Sequence, residues 1–104
     1  MPHDAGNTEH YVISAFYTFA RIESPEMLRK TLLRLVGRLD ILGTILVAPE
    51  GINGTVAGFR AETDQLFAAI REDPRLSKVQ SKESYCAEAP FLRAKVKLKK
   101  EIVT

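Results

Sequence analysis

A glycine-rich stretch, residues 43–58, limits most strongly how this chain can fold. It holds two β-prone runs, residues 44–48 and 55–57, separated by Pro49 and the pair Asn53-Gly54. Proline fixes φ for a turn and Asn-Gly favours a hairpin, so the stretch predicts a β-hairpin with a long tip. The predicted tip contains Glu50, Gly51, Ile52, Asn53, Gly54 and Thr55. A plain hairpin and a loop that binds a ligand or another domain through exposed backbone N–H groups both fit this pattern.

Residues 11–19 are rich in aromatic and β-branched side chains and predict a strand. We assign its odd positions, Tyr11 to Phe19, to the core. Phe16 then lies on the second face, where it either packs against other elements or stacks on a nucleic-acid base.

Two helices follow from helical periodicity. Ser24, Pro25 and Glu26 form a helix start, and the next apolar residues recur at helical spacing: Leu28, Leu32, Leu35, Val36 and Leu39. The opposite side is basic, with Arg29, Lys30, Arg34 and Arg38, and simple solvation explains it. A second helix is predicted over residues 60–72, ended by Asp73-Pro74.

The C-terminal segment alternates most regularly. From Leu92 onward, apolar residues point one way and four cations point the other: Arg93, Lys95, Lys97 and Lys99. A phosphate-bearing partner explains this row, with Lys82 of the preceding strand, residues 78–86, as a further contact. Lysines that protect an edge strand from aggregation are the alternative.

The order β-α-β-β-α-β with an extra C-terminal strand predicts an α+β, ferredoxin-like fold. Its antiparallel sheet would carry both helices on one face, leaving the other for a ligand or a domain. We expect residues 1–10 to be a flexible tail and residues 11–104 to form one domain.

Specific chemistries find little support. An acylphosphatase of this fold needs a glycine-containing phosphate cradle with an arginine after the first strand; here the turn has Arg21 but no glycine, and Glu23 would repel phosphate. Cys86 lacks an arginine six residues later and precedes a strand, so it is a poor nucleophile. We identify no catalytic residue, metal site or cofactor site. One cysteine fits a cytoplasmic protein, and no apolar run is long enough to span a membrane.

Residues 44–58 and 91–104, together with Asp73-Pro-Arg, resemble the N-terminal domain of the rhodanese-related, oxygen-dependent tRNA uridine hydroxylases, which make 5-hydroxyuridine at the wobble position. The resemblance implies an acylphosphatase-like domain, with the catalytic cysteine in a rhodanese domain beyond residue 104. It implies tRNA as partner, bound or positioned by this domain. Docking of the rhodanese domain without RNA contact is the second hypothesis, and a stand-alone acylphosphatase-type or small-ligand domain is the third.

Overall fold

The computed structural model describes residues 10–100, so the predicted tail lies almost entirely outside the described residues. The elements follow the predicted order: β1 (Tyr11–Phe19), α1 (Pro25–Arg38), β2 (Leu42–Ala48), β3 (Gly51–Gly58), α2 (Arg60–Glu72), a 3-10 turn (Pro74–Leu76), β4 (Gln80–Cys86) and β5 (Ala94–Leu98). Neither helix in this part of the chain is long and apolar enough to cross a membrane.

The five strands form one sheet in the order β4-β1-β3-β2-β5. The first four pair antiparallel, and both helices pack on one face, which confirms the ferredoxin-like prediction. The extra strand β5 is present and lies parallel to β2, so the complete sheet is mixed rather than antiparallel.

The apolar stripe of α1 packs on the sheet as its spacing predicts. Leu28, Leu32 and Val36 are buried, and burying each such side chain stabilises the fold by about 2 kcal/mol. The helix starts where the carbonyl of Ser24 accepts hydrogen bonds from the N–H groups of residues 27 and 28. Past its end, Asp40 adopts a φ of 55° and turns the chain into β2.

The predicted orientation of β1 is wrong. Its even positions, including Val12, Ser14 and Phe16, face the helices, and its odd positions face away from them. Phe16 is 3% exposed, and its ring meets Phe67 of α2 edge-on with centroids 5.4 Å apart. The proposed base-stacking role of Phe16 is therefore wrong, because its ring is part of the core. Both faces of β1 are apolar enough to pack, so alternation alone could not choose between them.

The prediction of a long hairpin tip at residues 50–55 is also wrong. Ala48 pairs with Gly51, so only Pro49 and Glu50 form the turn, and Asn53-Gly54 lies inside β3. Gly54 serves close strand approach, since a Cβ there would lie 2.3 Å from the carbonyl oxygen of Thr44 and 3.2 Å from the Phe16 ring. The turn therefore lies at Pro49 and Glu50 rather than at Asn53-Gly54, because the pairing of β2 with β3 continues through Asn53 and Gly54.

Replacing Gly54 by Ala should lower the free energy of unfolding by about 2 kcal/mol, because the added methyl group overlaps the backbone of β2. The control is Gly37→Ala in α1, where a Cβ meets no atom within 4 Å; it should raise stability by about 1 kcal/mol. Urea unfolding monitored by circular dichroism measures both. Equal effects of the two substitutions would contradict the close approach of β2 and β3.

The hydroxyl of Ser14 is fully buried and finds no hydrogen-bond partner among the described residues. Ser14→Ala should therefore raise the free energy of unfolding by about 1 kcal/mol, because it removes a desolvated polar group without leaving a large void. Ser84→Ala, at an exposed position of the same sheet, should change it by less than about 0.5 kcal/mol. Thermal and urea unfolding give both values; a destabilised Ser14→Ala variant would refute the assignment.

Candidate nucleic-acid interface

The sheet face turned away from the helices, here called the open face, collects the side chains that carry the candidate site. Strand pairing places residues of all five strands in rows across it. One row joins Lys82, Ala15, Thr55, Thr44 and Lys95. Lysines therefore stand at both edges of this row, with small uncharged side chains between them.

The next row on the open face contains Gln80, Tyr17, Asn53, Leu46 and Lys97. Tyr17 is 48% exposed, and Phe19, two residues further along β1, is 61% exposed. Their ring centroids lie 6.1 Å apart in an edge-to-face arrangement. Together with Lys82, Gln80, Asn53 and Thr55 they line a shallow depression, so aromatic and cationic groups share one surface.

No carboxylate belongs to the open face of the five strands. Glu83 of β4 lies on the helix side, where its Oε1 accepts a 2.8 Å hydrogen bond from Arg60 of α2. That guanidinium holds the pKa of the Glu83 carboxyl below its usual range, so the group stays ionised and paired there. The strand residues thus give the open face positive charge only.

The predicted cations fall together. Lys82, Lys95 and Lys97 lie on the open face within strands. Arg93 precedes β5 and its carbonyl accepts a 3.0 Å hydrogen bond from the Gly43 N–H; Lys99 follows β5 and its N–H donates to the Val47 carbonyl at 2.8 Å. Pairing with β2 therefore extends past both ends of β5 and keeps these five exposed cations near one surface. Their RNA contacts stay a prediction.

The residues of the predicted tip differ in exposure and in the face of the sheet on which they lie. Glu50 is exposed in the turn, whereas Gly51 and Ile52 are buried. Asn53 and Thr55 face the open side, and Gly54 faces the core side. This segment is therefore a strand crossing the centre of the sheet, and only part of it can contact a partner on the open face.

The hairpin turn closes the site where an acylphosphatase would need its phosphate cradle. The N–H groups of Ala20 and Ile22, in the β1–α1 loop, donate to the carbonyls of Glu50 and Pro49 at 2.9 and 2.8 Å. These two amides are occupied and cannot bind an anion at the same time. Arg21 is exposed beside them, so the arginine of this loop lies next to two amides that are not available to an anion.

Cys86 and the metal-ligating side chains of residues 10–100 do not cluster into a candidate site. The Cys86 Sγ lies 2.9 Å from the Glu88 carbonyl, at the end of edge strand β4. Residues 10–100 contain no group of three or more His, Cys, Asp or Glu side chains that could hold a metal ion. The basic side of α1 is partly structural, because Arg29 Nε donates to the Val96 carbonyl of β5 at 2.8 Å.

Sequence reasoning missed Tyr17 and Phe19, which it placed in the core. No local signal distinguishes them from Val12 and Phe16, since each face of β1 carries aromatic and aliphatic residues. Only the side on which the helices pack separates the two sets.

The sheet order and the two helices define an acylphosphatase-like domain, and known structures share this fold. The BLUF protein BlrB in its dark state is 20% identical over 88% of this chain and 74% of its own, with a TM-score of 0.71. The acylphosphatase from Bacillus subtilis is 12% identical over 84% and 96% of the two chains, with a TM-score of 0.62. Full-length HypF, in a phosphate- and nucleotide-bound form, is 15% identical with a TM-score of 0.66; the match covers 85% of this chain but 12% of HypF.

Over residues 11–102 the chain matches the UPF0176 acylphosphatase like domain, and it belongs to that family. At 12–20% identity, the structural similarities show the fold alone.

We expect the purified chain not to accelerate the hydrolysis of benzoyl phosphate, because the amides of Ala20 and Ile22 are already hydrogen-bonded. The measurement is the loss of benzoyl phosphate absorbance, with the Bacillus subtilis acylphosphatase as positive control. Turnover by the unmodified chain that is lost in an Arg21→Ala variant would contradict this prediction, and would show that the β1–α1 loop binds phosphate.

Proposed function

We propose that this chain is the tRNA-binding, substrate-positioning domain of a tRNA uridine hydroxylase that modifies the wobble position. The observation that carries the proposal is the placement of Lys82, Lys95 and Lys97 on one sheet face to which the five strands contribute no carboxylate. Exposed cations on a surface without neighbouring carboxylates are a typical electrostatic footprint for a phosphate backbone.

The spacing of the lysines suits an extended anion rather than a single phosphate. Lys82 and Lys95 stand at opposite ends of one row, four strand spacings apart, which is about 19 Å. One phosphate cannot contact both, whereas a polynucleotide that crosses the sheet can.

We propose the uridine hydroxylase reaction because residues 44–58 and 91–104 resemble that family. In such an enzyme the catalytic cysteine belongs to a rhodanese domain, and no described residue of this chain replaces it. The open face would hold the tRNA so that the target uridine reaches the downstream domain. Family membership and fold support an acylphosphatase-like domain, and RNA binding is the step that we add.

A second function is favoured by the apolar character of the same face. Tyr17, Phe19 and Leu46 provide contact area between the lysine-bearing edges, and such patches mark protein interfaces as well. In that case the open face would dock the rhodanese domain, and RNA contacts would lie elsewhere in the longer enzyme.

Replacing Lys95 and Lys97 by Glu should weaken tRNA binding by about tenfold or more. Because two phosphate contacts are lost, the slope of log K against log salt concentration should fall in magnitude by about two. The matched control replaces Lys30 and Arg34, exposed on the outer side of α1, by Glu. Both double variants change the net charge equally. Fluorescence anisotropy of labelled tRNA at several salt concentrations gives affinity and slope.

The two variants separate the possibilities. A loss of affinity confined to Lys95→Glu/Lys97→Glu supports the open face as the tRNA-binding surface. An equal loss in both would mean that net charge alone governs binding, and a loss only in the control would move the interface to α1. If neither variant changes tRNA affinity, the proposal fails and the docking function is favoured.

A further inference from the structure

We propose that Tyr17 and Phe19 form a stacking platform for unpaired bases, so that the open face binds single-stranded rather than duplex RNA. This inference rests on the proposed RNA-binding function and specifies the form of the ligand. The two rings are side-chain neighbours on one face of β1, and both are largely exposed. Unpaired bases are commonly recognised by aromatic side chains on a sheet surface.

The environment of the rings is suited to a base. The rings touch only edge-to-face, with centroids 6.1 Å apart, so each ring plane keeps area that a base can cover. A self-stacked pair would hide one face of each ring. Gln80 is exposed in the same row as Tyr17, and its amide can donate to and accept from a base edge.

The charges lie where a backbone would pass. Tyr17 pairs with Gln80 of β4, two residues along that strand from Lys82, and Lys97 of β5 lies in the row of Tyr17 three strands away; the strand spacings alone are about 5 and 14 Å. A single strand that stacks on Tyr17 and crosses the sheet can thus bring different phosphates towards the lysines of the two edges. Stacking at the centre with cations along the path is the arrangement of proteins that bind single strands.

The platform excludes duplex RNA as the preferred ligand. In a duplex the base faces are covered by neighbouring pairs, so a flat aromatic surface has nothing to stack on except at an end. A duplex could use the lysines only, and its binding would not depend on the two rings. The ligand class and the residues are thereby linked in a measurable way.

The charge pattern also favours RNA over another protein domain as occupant. The open face offers lysines at both edges and no carboxylate within the strands, so a protein partner would have to supply acidic groups at both edges. A polynucleotide supplies them along its whole length. Docking of a protein remains an outcome that the experiment identifies.

The test compares the affinity of the 104-residue chain for oligouridylate and for the duplex that the same strand forms with its complement. The variant Tyr17→Ala/Phe19→Ala should bind oligouridylate about tenfold more weakly, within the range for loss of one stacked base. Its affinity for the duplex should stay within about twofold of the unmodified chain, and the salt slope for oligouridylate should not change.

Two controls accompany it. Tyr17→Phe/Phe19→Tyr keeps both rings and should retain oligouridylate binding. Tyr85→Ala removes an exposed aromatic ring on the helix side of β4, bound to Arg60 through its hydroxyl, and should leave both affinities unchanged. Circular dichroism confirms that each variant is folded before binding is measured.

The outcomes separate this inference from the function on which it rests. Unchanged oligouridylate affinity in the double Ala variant, with binding still lost in Lys95→Glu/Lys97→Glu, overturns the platform alone. An equal loss for oligouridylate and duplex also overturns it. If the unmodified chain binds tRNA but not oligouridylate, the platform alone fails. If it binds neither tRNA nor oligouridylate, both proposals fail, and the rings are then assigned to a protein interface.

Discussion

Phe16 packs between Gly54 and Phe67 on the face of the sheet that the helices cover, and its burial is tied to the orientation of β1. The absence of a Cβ at Gly54 allows the ring to lie close to β3, and α2 meets it edge-on. Because successive strand residues alternate between faces, burial of Val12, Ser14 and Phe16 places Tyr17 and Phe19 on the opposite side. The candidate RNA-binding surface is therefore a consequence of core packing, and a shift of one residue in β1 would exchange the two faces.

The sequence predicted the elements well and their orientation unevenly. The helix over residues 60–72 was predicted at its observed bounds, because its apolar spacing and Asp73-Pro74 agree. In β5 the alternation of Lys with apolar residues assigned the faces correctly for Lys95, Val96 and Lys97. In β1 no such contrast exists, and only packing against the helices could decide. The prediction of the hairpin turn failed for a related reason. The turn is set by the pairing of Ala48 with Gly51, which depends on how two strands align and not on the residues of one segment.

The candidate site was predictable in part. Period-two alternation places Arg93, Lys95, Lys97 and Lys99 together without knowledge of the fold. That Lys82 shares a row with Lys95 depends on the register of four intervening strand pairs, which no local pattern encodes. The fold itself does not select a function. In this chain the hairpin turn accepts hydrogen bonds from two amides of the β1–α1 loop. The open face carries three lysines and the exposed rings of Tyr17 and Phe19.

The most direct test of the central claim, that the open face binds tRNA, is a titration of unlabelled tRNA into the isotope-labelled chain at two salt concentrations, followed by backbone amide NMR. We predict salt-sensitive shifts in β5, β4 and the centre of β1, around Lys95, Lys82 and Tyr17, with little change along the outer side of α1. Shifts confined to α1, or no shifts at low salt, would contradict the assignment of the open face as the tRNA-binding surface.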